Sequence, residues 1–180
     1  MGRYAGWLAL NAGVASGADV ILLPEIRFSL EKVVAKCVDR STRGRRFTII
    51  AAGEGATPIG GTQFVDRLDP NSPDPIRLGG VAKFVADNVE RMSGLECRSM
   101  VLGHIQRGGT PTARDRVLAT RFGHAAYELL MKGRFGEVVV EQKGAICSVP
   151  IPEVAGKTRT VPQDHDLIGA ARSVGTAFGD

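Results

Sequence analysis

Aromatic residues are scarce in this sequence: two Tyr, one Trp and seven Phe make up 6% of its 180 residues. Proteins that bind single-stranded nucleic acid without sequence preference stack bases on aromatic side chains, and this chain has few such platforms. The net charge of +4 is mild. It favours anionic partners in general but does not select nucleic acid over a metabolite. We therefore expect no nucleic-acid partner.

Cysteines are also few, and their number is odd. Cys37, Cys97 and Cys147 show no C-x-x-C spacing, which argues against a disulfide framework and a zinc site and is typical of a reducing cytosol. No apolar run reaches the ~18 residues of a membrane span. The stretch 4–17 is interrupted by Asn and Gly and does not resemble a signal peptide. We expect a cytoplasmic protein with no membrane partner.

Several motifs of nucleotide and metal chemistry are missing. No G-x-G-x-x-G opens a helix after a strand, and no metal-ligand spacing or Ser/His/Asp arrangement stands out. Gly156-Lys157-Thr158 is similar to the end of a Walker A motif. Its first glycine would fall at Ile151, however, and no strand–loop–helix context surrounds it. We expect no metal ligand in this chain.

Glycine, in contrast, is abundant at 23 of 180 residues, against about 7% in an average protein. This abundance indicates many tight turns and many places where the backbone closely approaches other atoms, as in α/β proteins that bind phosphate. At roughly 150 residues per domain, the length indicates one domain.

Apolar patterning predicts alternating strands and helices. Three short apolar runs, Val20–Leu23, Phe47–Ala52 and Cys97–Leu102, indicate buried strands, and residues 55–78 form a Gly- and Pro-rich loop region. Strands that alternate with helices of this length indicate an α/β fold with a mainly parallel sheet. The other predicted elements are helices over Tyr4–Ser16, Ser29–Ser41, Val81–Met92, Thr112–Lys132 and Asp164–Ala170, and a strand pair over Glu137–Gln142 and Ala145–Val149.

Ligands of such sheets bind outside the carboxyl ends of the strands, where three loops lie: Pro24-Glu25, Gly53-Glu54-Gly55 and residues 103–109. In the third loop, Arg107 offers a donor fork that suits phosphate, and His104 adds a second donor. The alternative is a tight turn in which the Arg side chain is solvated and the His side chain is hydrogen-bonded within the protein. Glu54 lies between two glycines, and three interpretations stay open for it. Its carboxylate accepts hydrogen bonds from sugar hydroxyls, coordinates a metal, or is simply solvated.

Arginines are concentrated after the second predicted helix, at Arg40, Arg43, Arg45 and Arg46. One interpretation is a solvated helix C-terminus, where cations complement the helix dipole. The other is an anion site, with a nucleotide as one candidate ligand. Arg98 by itself is most simply a surface charge.

Several of these segments together resemble the C-terminal half of bacterial 6-phosphofructokinases, in order and over nearly the whole chain. They are Met1-Gly2-Arg3-Tyr4-Ala5-Gly6, Gly17-Ala18-Asp19, Leu23-Pro24-Glu25, Ala51-Ala52-Gly53-Glu54-Gly55, and Val101–Gly109 followed by Asp115-Arg116. The resemblance implies a three-layer sandwich. It implies that residues 1–180 form one domain, the sugar-phosphate-binding part, without the N-terminal nucleotide part.

The resemblance also implies roles for individual residues. Met1, Gly2 and Arg3 match the family's sugar-phosphate contacts, and the Arg also helps to stabilise the transferring phosphoryl group. Glu54 matches the carboxylate that holds sugar hydroxyls.

Three further cationic residues match positions that contact the sugar phosphate in this family. His104 and Arg107 match the pair that grips the 6-phosphate, and Arg98 matches an Arg that reaches into the neighbouring subunit's site. The chain is therefore expected in a homo-oligomer with shared active sites, usually a tetramer.

An effector site is the least expected feature. Asp19, Arg43 and Arg45 align with the allosteric nucleotide site of regulated members, but Arg46 and Phe47 stand where those members have Lys and His. Because a lost His weakens anion binding, effector control is not expected.

The implied reaction moves a phosphoryl group from ATP to the 1-hydroxyl of fructose 6-phosphate and gives fructose 1,6-bisphosphate in glycolysis. The donor's Mg²⁺ is held mainly by a part of the family fold that this sequence lacks. The family's Gly-Gly-Asp-Gly-Ser and Thr-Ile-Asp-Asn-Asp segments, with the catalytic base, have no counterpart here. We therefore expect the chain alone to be inactive, as a fragment, a mis-called start or a split protein.

Two alternatives to this function stay open. Pyrophosphate replaces ATP in close relatives, and the tail at Thr160–Asp164 resembles the branch in which both donors occur. A non-catalytic subunit that senses a sugar phosphate would use the same loops.

Overall fold

Helices and short strands alternate along the chain in the computed structural model, which describes residues 1–71 and 75–180. The order is α1 (Trp7–Ala15), β1 (Val20–Leu22), α2 (Leu30–Thr42), β2 (Ile50–Ala52), β3 (Val65–Leu68), β4 (Ile76–Leu78), α3 (Val81–Ser93), a 3₁₀ helix (Gly103–Arg107), α4 (Ala113–Met131), β5 (Glu137–Gln142), β6 (Ala145–Pro150), α5 (Ile151–Val154) and α6 (Asp166–Ser173).

The chain divides into two compact units. The first unit is Met1–Gly103 with Thr158–Asp180, and the second unit is His104–Lys157. Compact units of this size can be parts of one domain. The expected single domain over residues 1–180 therefore stays a prediction.

The centre of the first unit is the fully buried strand β1, which pairs in parallel with β2. Successive side chains of a strand point to opposite faces. Ile21 accordingly packs into a cluster with residues of α1 and α6, whereas Val20 and Leu22 pack into a second cluster with residues of α2 and α3. Helices thus cover both faces of the parallel pair, and the α/β class with its layered arrangement is confirmed.

Local capping explains where the helices start. The Ser29 hydroxyl accepts a hydrogen bond from the Lys32 amide at 3.2 Å, so the predicted N-cap of α2 is confirmed. Thr112 and Asp115 form a reciprocal capping box at the start of α4. The predicted helices are confirmed, with ends that differ by at most three residues.

Two expectations about the first unit were wrong. Residues 97–102 form no strand, and Met100 and Val101 are 79% and 82% exposed. A strand needs a hydrogen-bonded neighbour, and none of the strands in the described ranges pairs with this segment. The predicted loop 55–78, whose residues 72–74 lie outside the described residues, contains the antiparallel pair β3–β4.

The second unit consists mainly of α4 and the predicted hairpin β5–β6, whose six residue pairs run from Glu137↔Pro150 to Gln142↔Ala145. Lys143 and Gly144 both have positive φ, as a tight hairpin turn requires. None of the described residues of this unit belongs to either core cluster. Its exposed large apolar side chains are Ile105, Val117, Tyr127, Leu130, Met131, Phe135, Ile151 and Val154.

We expect this apolar surface to make the isolated 180-residue chain self-associate, because exposed apolar patches drive association. Leu130→Glu, at a half-exposed position of α4, should shift sedimentation velocity profiles toward the monomer. Lys132→Gln changes the charge by the same amount without removing apolar surface and serves as the control. Monodisperse monomer for the unsubstituted chain at micromolar concentration would contradict this expectation.

Acid sensitivity of the second unit is expected at Glu137. The Arg134 guanidinium and then the Ser148 hydroxyl donate to this carboxylate and lower its pKa below the ordinary value of 4.5. A carboxyl group with a lowered folded-state pKa stabilises the fold above its unfolded-state pKa, and that contribution is lost as pH falls through the folded-state pKa.

Unfolding measurements from neutral pH down to pH about 3 check this expectation. Stability should fall more steeply below pH 4.5 for the unsubstituted chain than for Glu137→Gln. Parallel curves for the two proteins would show that Glu137 does not contribute.

None of the helices in the described parts of the chain is long and apolar enough to cross a bilayer.

Candidate functional site

The first three residues lie against the loop that follows β2. The Glu54 amide donates to the Met1 carbonyl at 3.0 Å, and the Gly55 amide donates to the Gly2 carbonyl at 3.0 Å. The structure therefore brings together four predicted site residues, Met1, Gly2, Arg3 and Glu54, at the carboxyl end of the parallel pair. Ligands of open α/β sheets bind at this end.

Glycine is required on the Glu54 side of this contact. A Cβ atom on Gly55 would lie 1.8 Å from the Arg3 carbonyl oxygen and 2.8 Å from the Arg3 carbonyl carbon. Real side chains never approach backbone this closely. Gly2 has φ +84°, a left-handed conformation that favours glycine. The side chains of Arg3 and Glu54 remain half-exposed on either side of this junction.

Glu25, three residues after the end of β1, is hydrogen-bonded to the start of α1. Its Oε1 accepts hydrogen bonds from the Gly6 amide at 2.9 Å and the Val161 amide at 2.8 Å. Its Oε2 lies 3.1 Å from the Gly6 amide nitrogen. Sequence reasoning placed the Pro24-Glu25 loop at the sheet edge but missed this contact. The available signal was a carboxylate after a strand and a helix start without a capping side chain.

Arg98 lies in the irregular segment before the 3₁₀ helix. Its guanidinium bonds to the Glu96 carboxylate at 2.8 Å, and both side chains are largely exposed. The hydrogen bond that the Arg98 guanidinium donates to the Glu96 carboxylate raises the pKa of Arg98. An exposed pair of this kind adds little to stability, so the guanidinium can exchange its partner for another anion at small cost.

His104 and Arg107 lie in the second unit, where the segment predicted as a loop forms one 3₁₀ turn. Residues three apart in a 3₁₀ helix lie above one another, so the two side chains project from the same side of the turn. Both are exposed. The turn closes with the Gly108 amide donating to the Ile105 carbonyl at 3.1 Å.

The residues aligned with an effector site are used in ion pairs of the fold. Asp19 accepts from the Arg40 guanidinium at 2.8 Å through Oδ1 and from the Ile49 amide at 2.9 Å through Oδ2. Arg43 pairs with Asp39 one turn earlier in α2 at 2.8 Å. Arg45 is exposed. The mostly buried Asp19 therefore has a structural role that the sequence analysis did not anticipate, whereas the exposed pair of Arg43 adds little to stability.

Family membership follows from a comparison with known proteins. Residues 1–130 match the family model described as phosphofructokinase. The chain belongs to the phosphofructokinase family. The match covers both the Met1–Arg3 contact with Glu54 and the 3₁₀ turn that carries His104 and Arg107.

The names of curated relatives of this phosphofructokinase chain give two different phosphoryl donors. An ATP-dependent 6-phosphofructokinase of Chloroflexus aurantiacus is 44% identical over all 180 residues and is covered to 49% of its own length. A pyrophosphate–fructose 6-phosphate 1-phosphotransferase of Amycolatopsis methanolica is 45% identical over 165 residues, which are 92% of this chain and 48% of the relative. The chain spans about half the length of these relatives.

A solved structure supports the phosphofructokinase fold. The crystal structure of a pyrophosphate-dependent phosphofructokinase from Marinobacter aquaeolei aligns with a TM-score of 0.70 at 25% identity, over 99% of this chain and 43% of that one.

Within residues 1–71 and 75–180, no group of three or more His, Cys, Asp or Glu side chains is arranged to hold a metal ion.

Proposed function

We propose that this chain is the fructose 6-phosphate-binding part of a 6-phosphofructokinase. The observation that carries the proposal is the double hydrogen bond between Met1–Gly2 and Glu54–Gly55, 3.0 Å in each case. It holds a cationic and an anionic side chain, Arg3 and Glu54, on neighbouring backbones at the ligand-binding edge of the sheet. Membership of the phosphofructokinase family makes a sugar phosphate the matching ligand.

Within the first unit, we assign complementary tasks to the two side chains. The Glu54 carboxylate accepts hydrogen bonds from sugar hydroxyls and orients the ring. The Arg3 guanidinium opposes the negative charge that spreads over the phosphoryl oxygens during transfer, since phosphoryl transfer is catalysed mainly by positioning and charge stabilisation. Met1 and the backbone of Gly2 complete the contact with the sugar phosphate.

Within the second unit, His104 and Arg107 bind the 6-phosphate. Their position on one side of a 3₁₀ turn suits two donors that address the same anion. Arg107 supplies the bidentate fork. A charge-assisted hydrogen bond of this kind contributes about 1.5–3 kcal/mol.

The proposed reaction breaks the bond between the donor's terminal phosphorus and its bridging oxygen and forms a bond from that phosphorus to O1 of the sugar. The proton of the 1-hydroxyl passes to a base that we assign to no residue of this chain. ATP is the proposed donor, with Mg²⁺ bound outside this chain. Pyrophosphate is the alternative, and the pyrophosphate-dependent relative supports keeping it.

We further propose a cytoplasmic homo-oligomer with shared active sites. Arg98 is the residue assigned to reach a neighbouring subunit's sugar-phosphate site, and its exposed position beside Glu96 supports that assignment. An effector role for Asp19, Arg43 and Arg45 is not proposed, because the Asp19 carboxylate is already bonded to the Arg40 guanidinium and the Ile49 amide.

Calorimetric titration of the purified chain tests the proposal. Fructose 6-phosphate should bind at least about tenfold more tightly than fructose, because the phosphate contributes the charge-assisted contacts. Mixed with ATP or with pyrophosphate, the chain should give no product above the rate without protein. Equal affinities for fructose and its 6-phosphate would contradict the assignment.

Binding without turnover also fits the non-catalytic sugar-phosphate sensor. The genomic sequence immediately upstream of Met1 separates the two functions. An in-frame Thr-Ile-Asp-Asn-Asp segment there supports the kinase. A stop codon in frame, together with tight sugar-phosphate binding, supports the sensor.

A further inference from the structure

We propose that Glu25 is a positioning residue that holds the segment Met1–Gly6 in the geometry required for sugar-phosphate binding. The inference deepens the proposed function and rests on it for the ligand. The Glu25 carboxylate accepts hydrogen bonds from the backbone amides of Gly6 and Val161. It acts through the backbone of Gly6, three residues after Arg3.

The first supporting observation is the uncapped start of α1. Gly6 is the N-cap residue, no side chain of its own segment caps the helix, and the first turn contains no acidic residue. A helix N-terminus leaves unsatisfied amides and a partial positive charge. The Glu25 carboxylate, supplied by the end of β1, accepts from the Gly6 amide at 2.9 Å and meets both needs.

The second observation is that the same carboxylate is anchored elsewhere. Its Oε1 also accepts from the amide of Val161, a residue buried in the cluster with α1 and α6. The Gln163 side-chain amide donates to the Glu25 backbone carbonyl at 2.9 Å. Glu25 therefore connects three separate parts of the first unit: the end of β1, the start of α1 and the segment before α6.

Close packing leaves the Gly6 backbone little freedom. A Cβ atom on Gly6 would lie 2.8 Å from Glu25 Oε2 and 2.7 Å from Leu23 Cδ2. The segment is thus held at Gly6 by Glu25 and at Gly2 by the Gly55 amide. Arg3 lies between these two attachment points, so loss of the first one frees its backbone to move away from Glu54.

The test compares Glu25→Ala and Glu25→Gln in the full 180-residue chain. Alanine removes every acceptor and should raise the Kd for fructose 6-phosphate about tenfold. Glutamine keeps one acceptor oxygen for Gly6 and Val161 but brings an NH₂ group toward the Gly6 N–H. The Kd of Glu25→Gln should therefore lie between those of the alanine variant and the unsubstituted chain.

Two controls separate positioning from general destabilisation. Glu31→Gln removes an exposed carboxylate that bonds to Ser29 and should leave the Kd unchanged. Val89→Ala opens a cavity in the other core cluster and should lower the melting temperature with little effect on the Kd. An alanine variant of Glu25 that binds as well as Val89→Ala at equal stability would overturn the proposal.

Hydrogen exchange provides a readout that does not need the ligand. The amides of Glu54 and Gly55, which donate to Met1 and Gly2, should exchange at least about tenfold faster in Glu25→Ala and not in Val89→Ala. If the chain fails to bind fructose 6-phosphate but these amides lose protection, the proposed function is wrong and the positioning role stands. Unchanged protection would overturn the positioning role itself.

Discussion

Gly55→Ala is expected to weaken fructose 6-phosphate binding by about 100-fold or more. Its Cβ atom would lie 1.8 Å from the Arg3 carbonyl oxygen, and no change of rotamer relieves a clash between Cβ and backbone. The segment Met1–Arg3 must therefore move away, which breaks the hydrogen bond from Gly55 to Gly2 and displaces the Arg3 guanidinium. Titration calorimetry measures the change in Kd, and thermal unfolding should show a loss of about 1–3 kcal/mol.

A matched glycine is available as the control for this variant. Gly169 lies inside α6 in the same unit, and a Cβ atom there would meet nothing within 4 Å. Gly169→Ala should leave the Kd unchanged and stabilise the helix by about 0.5–1 kcal/mol. Equal affinity of Gly55→Ala and Gly169→Ala for fructose 6-phosphate would show that the Met1–Arg3 segment is not part of the binding site.

Arg107→Ala is expected to raise the Kd for fructose 6-phosphate by about 10- to 100-fold, because one or more charge-assisted hydrogen bonds to the 6-phosphate are lost. The fold should be unaffected, since the side chain is exposed. In a full-length enzyme that contains this segment, the KM for fructose 6-phosphate should rise far more than the KM for the phosphoryl donor. Arg107→Lys should recover part of the affinity, as a point charge without the bidentate fork.

Arg114→Ala is the control for charge in the same unit. Arg114 is an exposed residue of the first turn of α4 and has no assigned role. Its removal should change the Kd by less than about twofold, because exposed charges that are not hydrogen-bonded to the ligand contribute little in water. If Arg114→Ala and Arg107→Ala weaken binding equally, the effect is nonspecific attraction to a basic surface.

Local signals made most helices predictable from the sequence. Ser29 marks the start of α2 by offering a cap, and its hydroxyl makes that bond. The apolar run around β1 predicted burial, and β1 is fully buried. These features depend on residues close in sequence, so one chain is sufficient to find them. The alternation of strands and helices then predicts the α/β class.

Features that depend on distant partners were not predictable in the same way. The Cys97–Leu102 run has the composition of a strand, but strand formation needs a neighbour, and its apolar side chains at Met100 and Val101 are exposed. All four residues of β3 are exposed, and strands of only four and three residues are too short to carry a clear periodic apolar signal. Composition indicates a tendency toward strand, whereas pairing decides the outcome.

The candidate site shows the same division. Met1, Gly2, Arg3 and Glu54 were grouped through the family resemblance, and the structure adds the backbone hydrogen bonds that join them. The roles proposed for these residues and for Arg98, His104 and Arg107 stay predictions. The contact of Glu25 with Val161 was missed, and Asp19, which pairs with Arg40, was aligned with an effector site. Both partners are brought close by packing and not by spacing along the sequence.

The most direct measurement of the central claim is an NMR titration of the ¹⁵N-labelled chain with fructose 6-phosphate. The account predicts saturable shifts of the amides of Arg3, Glu54 and Gly55 in the first unit. It also predicts saturable shifts of residues 104–109 in the second unit. Shifts confined to Arg40–Arg46, or none at concentrations well above those of the sugar phosphate in cells, would contradict it.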